Sequence, residues 1–350
     1  MQRDIANDPS ETGTLWNGLA SRVLAGHELT EAEGRSILDS SDDELLDVLA
    51  AAYRIRRHYF GNTVHLHFLI SAKSGLCPED CGYCSQSRVS SAEIPRYNLL
   101  NREQLMDGAR IAAERGSRTY CIVISARGPS ERELREVEKI IPEIKSKYPV
   151  RICTSLGLLS REQADRLKAC GVDRVNHNVN TSEQYYAEIC TTHGYQDRIT
   201  TLRAVREAGL EICSGGIIGM GERSIDVVRM AIELRALRVQ SIPLNFFHAI
   251  PGTPLAESPR LDARYCLKAL ALFRFANPAC ELRMAAGREL HLGSMQCLGL
   301  YAANSLFVGD YLTTKGQPPE ADYRMIEEMG FEITKNSLPG AAVEVISGRD

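Results

Sequence analysis

Apolar positions in the first sixty residues recur at helical spacing. Leu15, Leu19, Val23 and Leu24 form one stripe, and Leu45, Leu46, Leu49 and Tyr53 form another. Thr30-Glu31-Ala32-Glu33 predicts a helix start, with Thr30 as N-cap and Glu33 placed to reach back to the cap. Ser41-Asp42-Asp43-Glu44 predicts a second start. From residue 64 the period changes to short β-rich runs: Val64–Ala72, Arg118–Ala126, Val150–Gly157, Arg174–Thr181, Glu211–Gly219, Ser241–Ala249, Cys280–Arg288 and Asn304–Tyr311. Helix-period segments separate them, such as Leu202, Val205 and Leu210, or Val227, Met230, Ile232 and Leu234.

Eight strand-like runs, each followed by a helical stretch, predict an α/β chain of the (β/α)8 TIM-type barrel class. A doubly wound sheet is the alternative, but no early Gly-x-Gly-x-x-Gly turn supports it. The division expected is an N-terminal helical extension over 1–60, a barrel over 61–330 and a C-terminal tail over 331–350. A helical run near Ala321–Met329 is followed by little predicted order.

Composition narrows the field. A chain of 350 residues suits one such barrel, and 44% hydrophobic residues suffice for a large core. The formal charge of −4 gives no basic field for nucleic acid or an anionic membrane. No apolar run reaches the roughly 18 residues of a bilayer span, and Met1–Ser10 lacks a signal peptide's apolar core, so a cytoplasmic protein is expected. The eleven cysteines are an odd number, which excludes complete intrachain disulfide pairing and favours metal binding or chemistry.

Three of them stand in Cys77-Pro78-Glu79-Asp80-Cys81-Gly82-Tyr83-Cys84. With cysteine this frequent, chance produces the Cx3Cx2C spacing in only about 1% of such chains. The loop follows the first strand, on the barrel face where such folds place chemistry. Three thiolates can hold three irons of a 4Fe–4S cluster and leave the fourth open, whereas an electron carrier or structural zinc site normally has a fourth protein ligand. The next cysteine is Cys121, and a closed zinc knuckle would have to recruit a distant group such as His65 or His67.

Cys121, Cys153 and Cys213 occupy the second, third and fifth strand-like runs, and Arg283 the seventh. Side chains alternate along strands, so inward-pointing residues converge in the barrel interior. A single strand cysteine is most simply a small buried hydrophobe. Three of them with an arginine, itself costly to bury unpaired, weaken that reading.

The loop Cys77–Ser87, with an aromatic residue before its last cysteine, resembles the radical S-adenosylmethionine enzymes. Further segments narrow the resemblance to the biotin synthases over about residues 64 to 330: Asn176–Ser182, Cys213–Glu222, Pro243–Leu255, Arg283–Glu289 and Ala302–Asp310. The resemblance implies sulfur insertion into dethiobiotin, the last step of biotin formation. It implies a 4Fe–4S cluster on Cys77, Cys81 and Cys84, whose open iron binds S-adenosyl-L-methionine. It implies a sulfur-donating 2Fe–2S cluster on Cys121, Cys153, Cys213 and Arg283.

It also implies that Arg198 meets the S-adenosylmethionine carboxylate and that Asn178 lies near cofactor and substrate. Asn180 stands where relatives often carry Asp, near the cofactor ribose. Asn245 would hydrogen-bond the ureido ring, since an amide offers both donor and acceptor. Asn176, Asn178 and Asn180 are expected to share one strand face, and Gly215–Glu222 to face the adenosine. A flavodoxin or ferredoxin donor and a homodimer are implied.

Cys170, Cys190, Cys266, Cys280 and Cys297 match no motif and read as ordinary thiols; His65 and His67 read as structural and Trp16 as a packing anchor. Two competitors remain. A related radical enzyme, such as a methylornithine synthase or a hydrogenase maturase, would not keep the strand cysteines, Arg283 and Asn245 together. A non-enzymatic iron–sulfur sensor or carrier would need neither an open iron nor a partner for the S-adenosylmethionine carboxylate.

Overall fold

The computed structural model describes residues 9–75 and 77–334, with side chains from residue 15. Three helices open the chain: α1 (Pro9–Leu24), α2 (Glu31–Leu38) and α3 (Leu45–Phe60). The predicted cap of α2 forms: Thr30 Oγ1 accepts from the Glu33 amide at 3.2 Å, and Glu33 accepts from the Thr30 amide at 3.0 Å. Ser41–Glu44 opens a short 3-10 turn that runs into α3. Trp16 is buried and donates from Nε1 to Glu44 at 3.3 Å, which fits its reading as an anchor.

The barrel runs β1 (Thr63–Lys73), α4 (Arg102–Glu114), β2 (Thr119–Ile124), α5 (Glu131–Lys147), β3 (Arg151–Ser155), α6 (Arg161–Ala169) and β4 (Arg174–Asn176). It continues α7 (Tyr186–Ile189), α8 (Tyr195–Glu207), β5 (Glu211–Cys213), β6 (Gly216–Ile218), α9 (Ser224–Ala236), β7 (Ser241–Phe246) and α10 (Ala263–Ala276). It closes with β8 (Glu281–Met284), α11 (Arg288–Leu292) and β9 (Ser305–Phe307). All pairings named among these strands are parallel, and β9 returns to β1 through His65–Ser305, Leu66–Leu306 and His67–Phe307. β5 and β6 both pair with β7, so together they fill one position of an eight-stranded closed barrel. All eight predicted runs become barrel positions.

Two runs differ in detail. The fourth is strand only to Asn176, and Asn180 has φ +69°, the left-handed region that short polar side chains tolerate best after glycine. Strand alternation therefore does not align Asn176, Asn178 and Asn180. The fifth is interrupted at Ser214-Gly215 because the backbone of β7 comes close: a Cβ on Gly215 would lie 2.0 Å from the Pro243 carbonyl oxygen.

The helices pack by their predicted stripes. In α5, Leu134, Val137, Ile140, Ile141 and Ile144 are buried, each contributing about 1.5–3 kcal/mol relative to exposure. The helical extension packs on α9 and α10. Arg56 of α3 is fully buried and donates to the carbonyls of Thr63 at 2.7 Å and of Gly61, at the N-terminal end of β1. The extension thus lies against the outer helices, with Arg56 reaching the N-terminal end of β1.

After Tyr311 come α12 (Pro319–Glu328), as predicted, and β10 (Glu332–Ile333), which pairs with Thr63 and Val64 of β1 where little order was expected. The rest of the expected tail, and the first eight residues of the expected extension, lie outside the described residues. No helix among the described residues is long and apolar enough to cross a membrane.

Candidate active site

A cavity of about 380 Å³ occupies the barrel interior and its C-terminal mouth. Its lining includes every predicted site residue: Cys77, Cys81 and Cys84 from the loop after β1; Cys121, Cys153 and Cys213 from β2, β3 and β5; Arg283 from β8; Asn178, Asn180, Arg198 and Asn245. Asn176 lines it as well.

The loop is folded on itself and clamped. The Cys84 amide donates to the Cys81 carbonyl at 3.1 Å and the Ser87 amide to the Cys84 carbonyl at 3.1 Å. The Gly82 amide donates to the carbonyl of Ile189 at 2.9 Å. Asp80 accepts from the amides of Thr191 and Thr192 at 2.9 and 3.1 Å. Glu79, nearly buried, accepts from Thr192 Oγ1 at 2.6 Å, from Arg127 at 3.2 Å and from the His193 ring. The two acidic residues inside the Cx3Cx2C motif therefore fix the loop to residues 189–193.

The strand cysteines converge by register. Cys121 on β2 pairs directly with Cys153 on β3, and Cys213 on β5 pairs with Asn176 on β4. All three are buried, as is Arg283. Asn176 donates to Cys213 Sγ at 3.3 Å, and Arg283 Nη1 lies 3.9 Å from the same sulfur.

Burial pushes the Cys77 and Cys84 thiols up, Cys84 to about 11. The Cys190 neighbour and burial push Cys81 up further. Cys153 is raised first by its contact with Cys121, and Cys213 by its contact with Cys153. These five thiols keep their protons until a cation displaces them.

Beneath the strand cysteines lies a buried charge cluster that sequence reasoning missed. Glu281 accepts from Arg283 at 2.7 Å, Arg174 at 2.9 Å, Ser241 at 2.8 Å and His65 at 2.9 Å. Burial pushes its carboxyl up, but the Arg174 charge and the histidine contacts outweigh that and hold it well below the usual carboxylate range. His67 accepts from Arg283 at 3.2 Å, and burial together with Arg283 holds it at about 3, a neutral imidazole. His65 and His67 are thus structural, as read. Glu281 and Arg174 were legible in principle: each stands two residues from a residue already singled out, Arg283 and Asn176, and so on the same strand face.

Arg198 is buried among neutral partners. It donates to the Asn178 carbonyl at 2.9 Å, to His193 Nε2 at 3.0 Å and to the Tyr186 hydroxyl. It makes no salt bridge among the described residues. Asn178 accepts from the Gly215 amide and from Asn176, each at 3.1 Å. Asn180 donates to the Tyr83 hydroxyl at 2.6 Å. Asn245 is held at both ends of its amide: Nδ2 donates to the Gly216 carbonyl at 3.0 Å and Oδ1 accepts from the Ala286 amide at 3.2 Å. One N–H and one oxygen lone pair remain for a ligand. Glu222 closes the glycine-rich turn by accepting from the amides of Gly219 and Met220 at 2.7 and 2.8 Å.

The donor sets suit iron–sulfur groups. Three thiols on one short clamped loop match a three-cysteine cluster with one open iron. In the second set Arg283 Nε is buried with no hydrogen-bond partner among the described residues, so the guanidinium has unused capacity facing three thiols. Among the remaining cysteines, Cys190 departs from the expectation of an ordinary thiol: its sulfur lies 3.6 Å from Cys81 Sγ.

Comparison with known proteins places this geometry. Residues 73–235 match the family model described as Radical SAM superfamily, and residues 243–332 the Biotin and Thiamin Synthesis associated domain. The biotin synthase of Rhodopirellula baltica is 59% identical over 95% of this chain and 94% of its own. Those of Geobacillus kaustophilus and Bacillus subtilis are 56% and 52% identical, over 94% and 91% of this chain and 98% and 95% of their own. Among solved structures, a methylornithine synthase superposes with a TM-score of 0.79 at 19% identity, over 91% of this chain and 98% of its own. A FeFe-hydrogenase maturase from Carboxydothermus hydrogenoformans gives 0.77 at 17%, over 94% and 86%. At such identities these two support the barrel fold alone.

Proposed function

The chain belongs to the biotin synthase family, and on that premise we propose that it inserts sulfur between two saturated carbons of dethiobiotin to give biotin. Cys77, Cys81 and Cys84 hold the 4Fe–4S cluster that the radical S-adenosylmethionine superfamily implies. Cys121, Cys153, Cys213 and Arg283 hold a 2Fe–2S cluster, which enters as a co-substrate because a sulfide leaves it. When bound, the 4Fe–4S cluster and S-adenosylmethionine supply a 5′-deoxyadenosyl radical able to abstract hydrogen from an unactivated carbon. The observation that carries the reading is the meeting of two separate thiol sets, one on a loop and one on three strands, in a single cavity with Arg198 and Asn245.

The chain's own residues bind, orient and exclude water. Arg198, buried among neutral partners, is the natural counter-ion for the methionine carboxylate. Its bond to the Asn178 carbonyl ties cofactor position to the β4 end, where Asn178 and Asn180 face the cavity. Asn245, oriented by two backbone bonds, presents its free donor and acceptor to the ureido group. Closing a radical site behind barrel walls limits quenching by solvent. Glu281 balances Arg283 and Arg174, so the arginine can face the thiols without an uncompensated charge.

Two C–H bonds give way to two C–S bonds, so two S-adenosylmethionine molecules are expected per biotin. The same reading includes a flavodoxin or ferredoxin donor, a homodimer, a cytoplasmic location and the division into extension (1–60), barrel (61–330) and tail (331–350). Anaerobic, reconstituted protein given dethiobiotin, S-adenosylmethionine and reductant should form biotin with 5′-deoxyadenosine and methionine. Cleavage without biotin would point to another radical reaction, and absence of cleavage to a sensor.

A further inference from the structure

Cys190 is not in the apolar setting of a packing cysteine. It sits at the end of α7, and four polar atoms surround its sulfur: Cys81 Sγ at 3.6 Å, His193 Nδ1 at 3.3 Å, Asp80 Oδ1 at 3.4 Å and Thr192 Oγ1 at 3.6 Å. A buried free cysteine normally packs as a small hydrophobe. Cys81, Cys190 and His193 are all buried, and their donor atoms lie within 4.8 Å of one another.

We propose that Cys81, Cys190 and His193 bind a single soft divalent cation, zinc(II), in the chain before iron is loaded on the Cys77–Cys84 loop. Two sulfurs and a ring nitrogen are the donor types zinc prefers. Zn–S of about 2.3 Å and Zn–N of about 2.0 Å at tetrahedral angles put about 3.8 Å between two sulfurs and about 3.5 Å between sulfur and nitrogen. Two of the three spacings, 3.6 and 3.3 Å, need shifts of only a few tenths of an ångström, and the third, between Cys81 Sγ and the His193 ring nitrogen, is within 4.8 Å.

The two segments that carry the ligands are already locked together. The Gly82 amide bonds to the Ile189 carbonyl, and Asp80 to the Thr191 and Thr192 amides. The far side of the ring is held too: His193 Nε2 lies 2.9 Å from the Tyr186 hydroxyl and 3.0 Å from Arg198. Arg198 can only donate, so Nε2 accepts and Nδ1 carries the proton that Glu79 receives. On binding, any protons still on the two sulfurs leave to solvent and the Nδ1 proton passes to Nε2. That N–H then points to the Tyr186 oxygen, and Arg198 gives up its bond to Nε2 while keeping those to the Asn178 carbonyl and the Tyr186 hydroxyl. Glu79, released from that proton, is the adjacent carboxylate for the fourth position.

Cys81 is common to this site and to the Cx3Cx2C set, so one occupant excludes the other. That exclusion, unlike the zinc site itself, rests on the reading that Cys81 holds the family's cluster.

The test uses the full-length chain, stripped of iron, reduced and anaerobic. Cobalt(II) serves as spectroscopic stand-in and zinc is titrated against a chromophoric chelator. The titration is made in a Cys121→Ser/Cys153→Ser background that removes the strand thiol set, and one tetrahedral cobalt per chain with two-thiolate charge transfer is expected. Cys190→Ala should lower the charge-transfer intensity to about half and weaken zinc binding about 100-fold, while Cys77→Ala should leave both unchanged. Cys190→Ser gives the same readout if the alanine variant does not fold.

Equal loss in Cys77→Ala would place the ion in the cysteine triplet and overturn the proposal. So would parent-like zinc affinity in Cys190→Ala, or a Cys81–Cys190 disulfide in place of the ion. Neither cluster assembly nor dethiobiotin enters this titration. Its failure therefore leaves the proposed function standing, and a failed biotin assay leaves the zinc site standing.

Discussion

Replacing Glu281 by glutamine removes one buried negative charge and little volume. Arg174 keeps a second carboxylate, Glu211, at 2.9 Å. Arg283 does not: its other contacts are Ser241 at 2.9 Å, His67 at 3.2 Å, Cys213 Sγ at 3.9 Å and the Phe307 ring, 4.8 Å from its centroid, and its side chain is only 4% exposed. Removing one partner of such a pair costs about 3–5 kcal/mol, because the other charge is left buried. The remaining amide oxygen still accepts one hydrogen bond, which returns about 1 kcal/mol. The net expectation is a loss of about 2–4 kcal/mol at neutral pH. Equilibrium urea unfolding of the metal-free chain, followed by far-ultraviolet circular dichroism and by the fluorescence of Trp16, measures it if the two signals coincide.

The double variant Glu281→Gln/Arg283→Met should recover most of the loss, since a charge pair exchanged for apolar volume is close to neutral. A single variant within about 1 kcal/mol of the parent, or a double variant no more stable than the single, would refute Glu281 as the counter-ion of Arg283.

Three further outcomes follow from the same geometry. Arg283→Ala should leave iron on the Cys77–Cys84 loop at the parent level, measured by iron and sulfide content with electron paramagnetic resonance of the reduced protein; loss of that cluster instead would mean that the two sites are not separate. Asn245→Leu should raise the dissociation constant for dethiobiotin about 10–100-fold, measured by equilibrium binding with S-adenosylmethionine present, because one oriented donor and one acceptor are lost together. For Glu33, partial burial pushes its carboxyl up, but the Thr30 amide, His27, the Thr30 hydroxyl and Arg22 outweigh it and hold it at about 2. A depressed carboxyl stabilises the fold above its unfolded value of about 4.3 and loses that contribution as pH falls toward about 2. Amide protection factors of α2, corrected for the intrinsic pH dependence of exchange, should therefore fall over that window, and Glu33→Gln should remove that fall.

Much of the barrel was legible because strand and helix periods are local properties. Eight alternations of period two and period 3.6 leave few closed architectures, and the capped starts at Thr30 and Ser41 needed only neighbours in sequence. The Cys77–Cys84 set was legible for the same reason, since its ligands are fixed by spacing along one loop. Cys121, Cys153, Cys213 and Arg283 could be proposed together because alternation points same-face residues of different strands toward one interior.

Where the chain leaves regular structure, the inference from alternation stopped. Asn180 reaches the cavity through a left-handed residue, not through a strand face. The break at Ser214-Gly215 answers to the Pro243 carbonyl of a neighbouring strand, which no local pattern encodes. The pairing of Glu281 on β8 with Arg174 on β4, and the approach of Cys190 and His193 to Cys81 across more than a hundred residues, were decided only by tertiary structure. Sequence period sets which way a side chain points. Which charge or sulfur it meets is set by strand register and loop closure, and those come from packing the whole barrel at once.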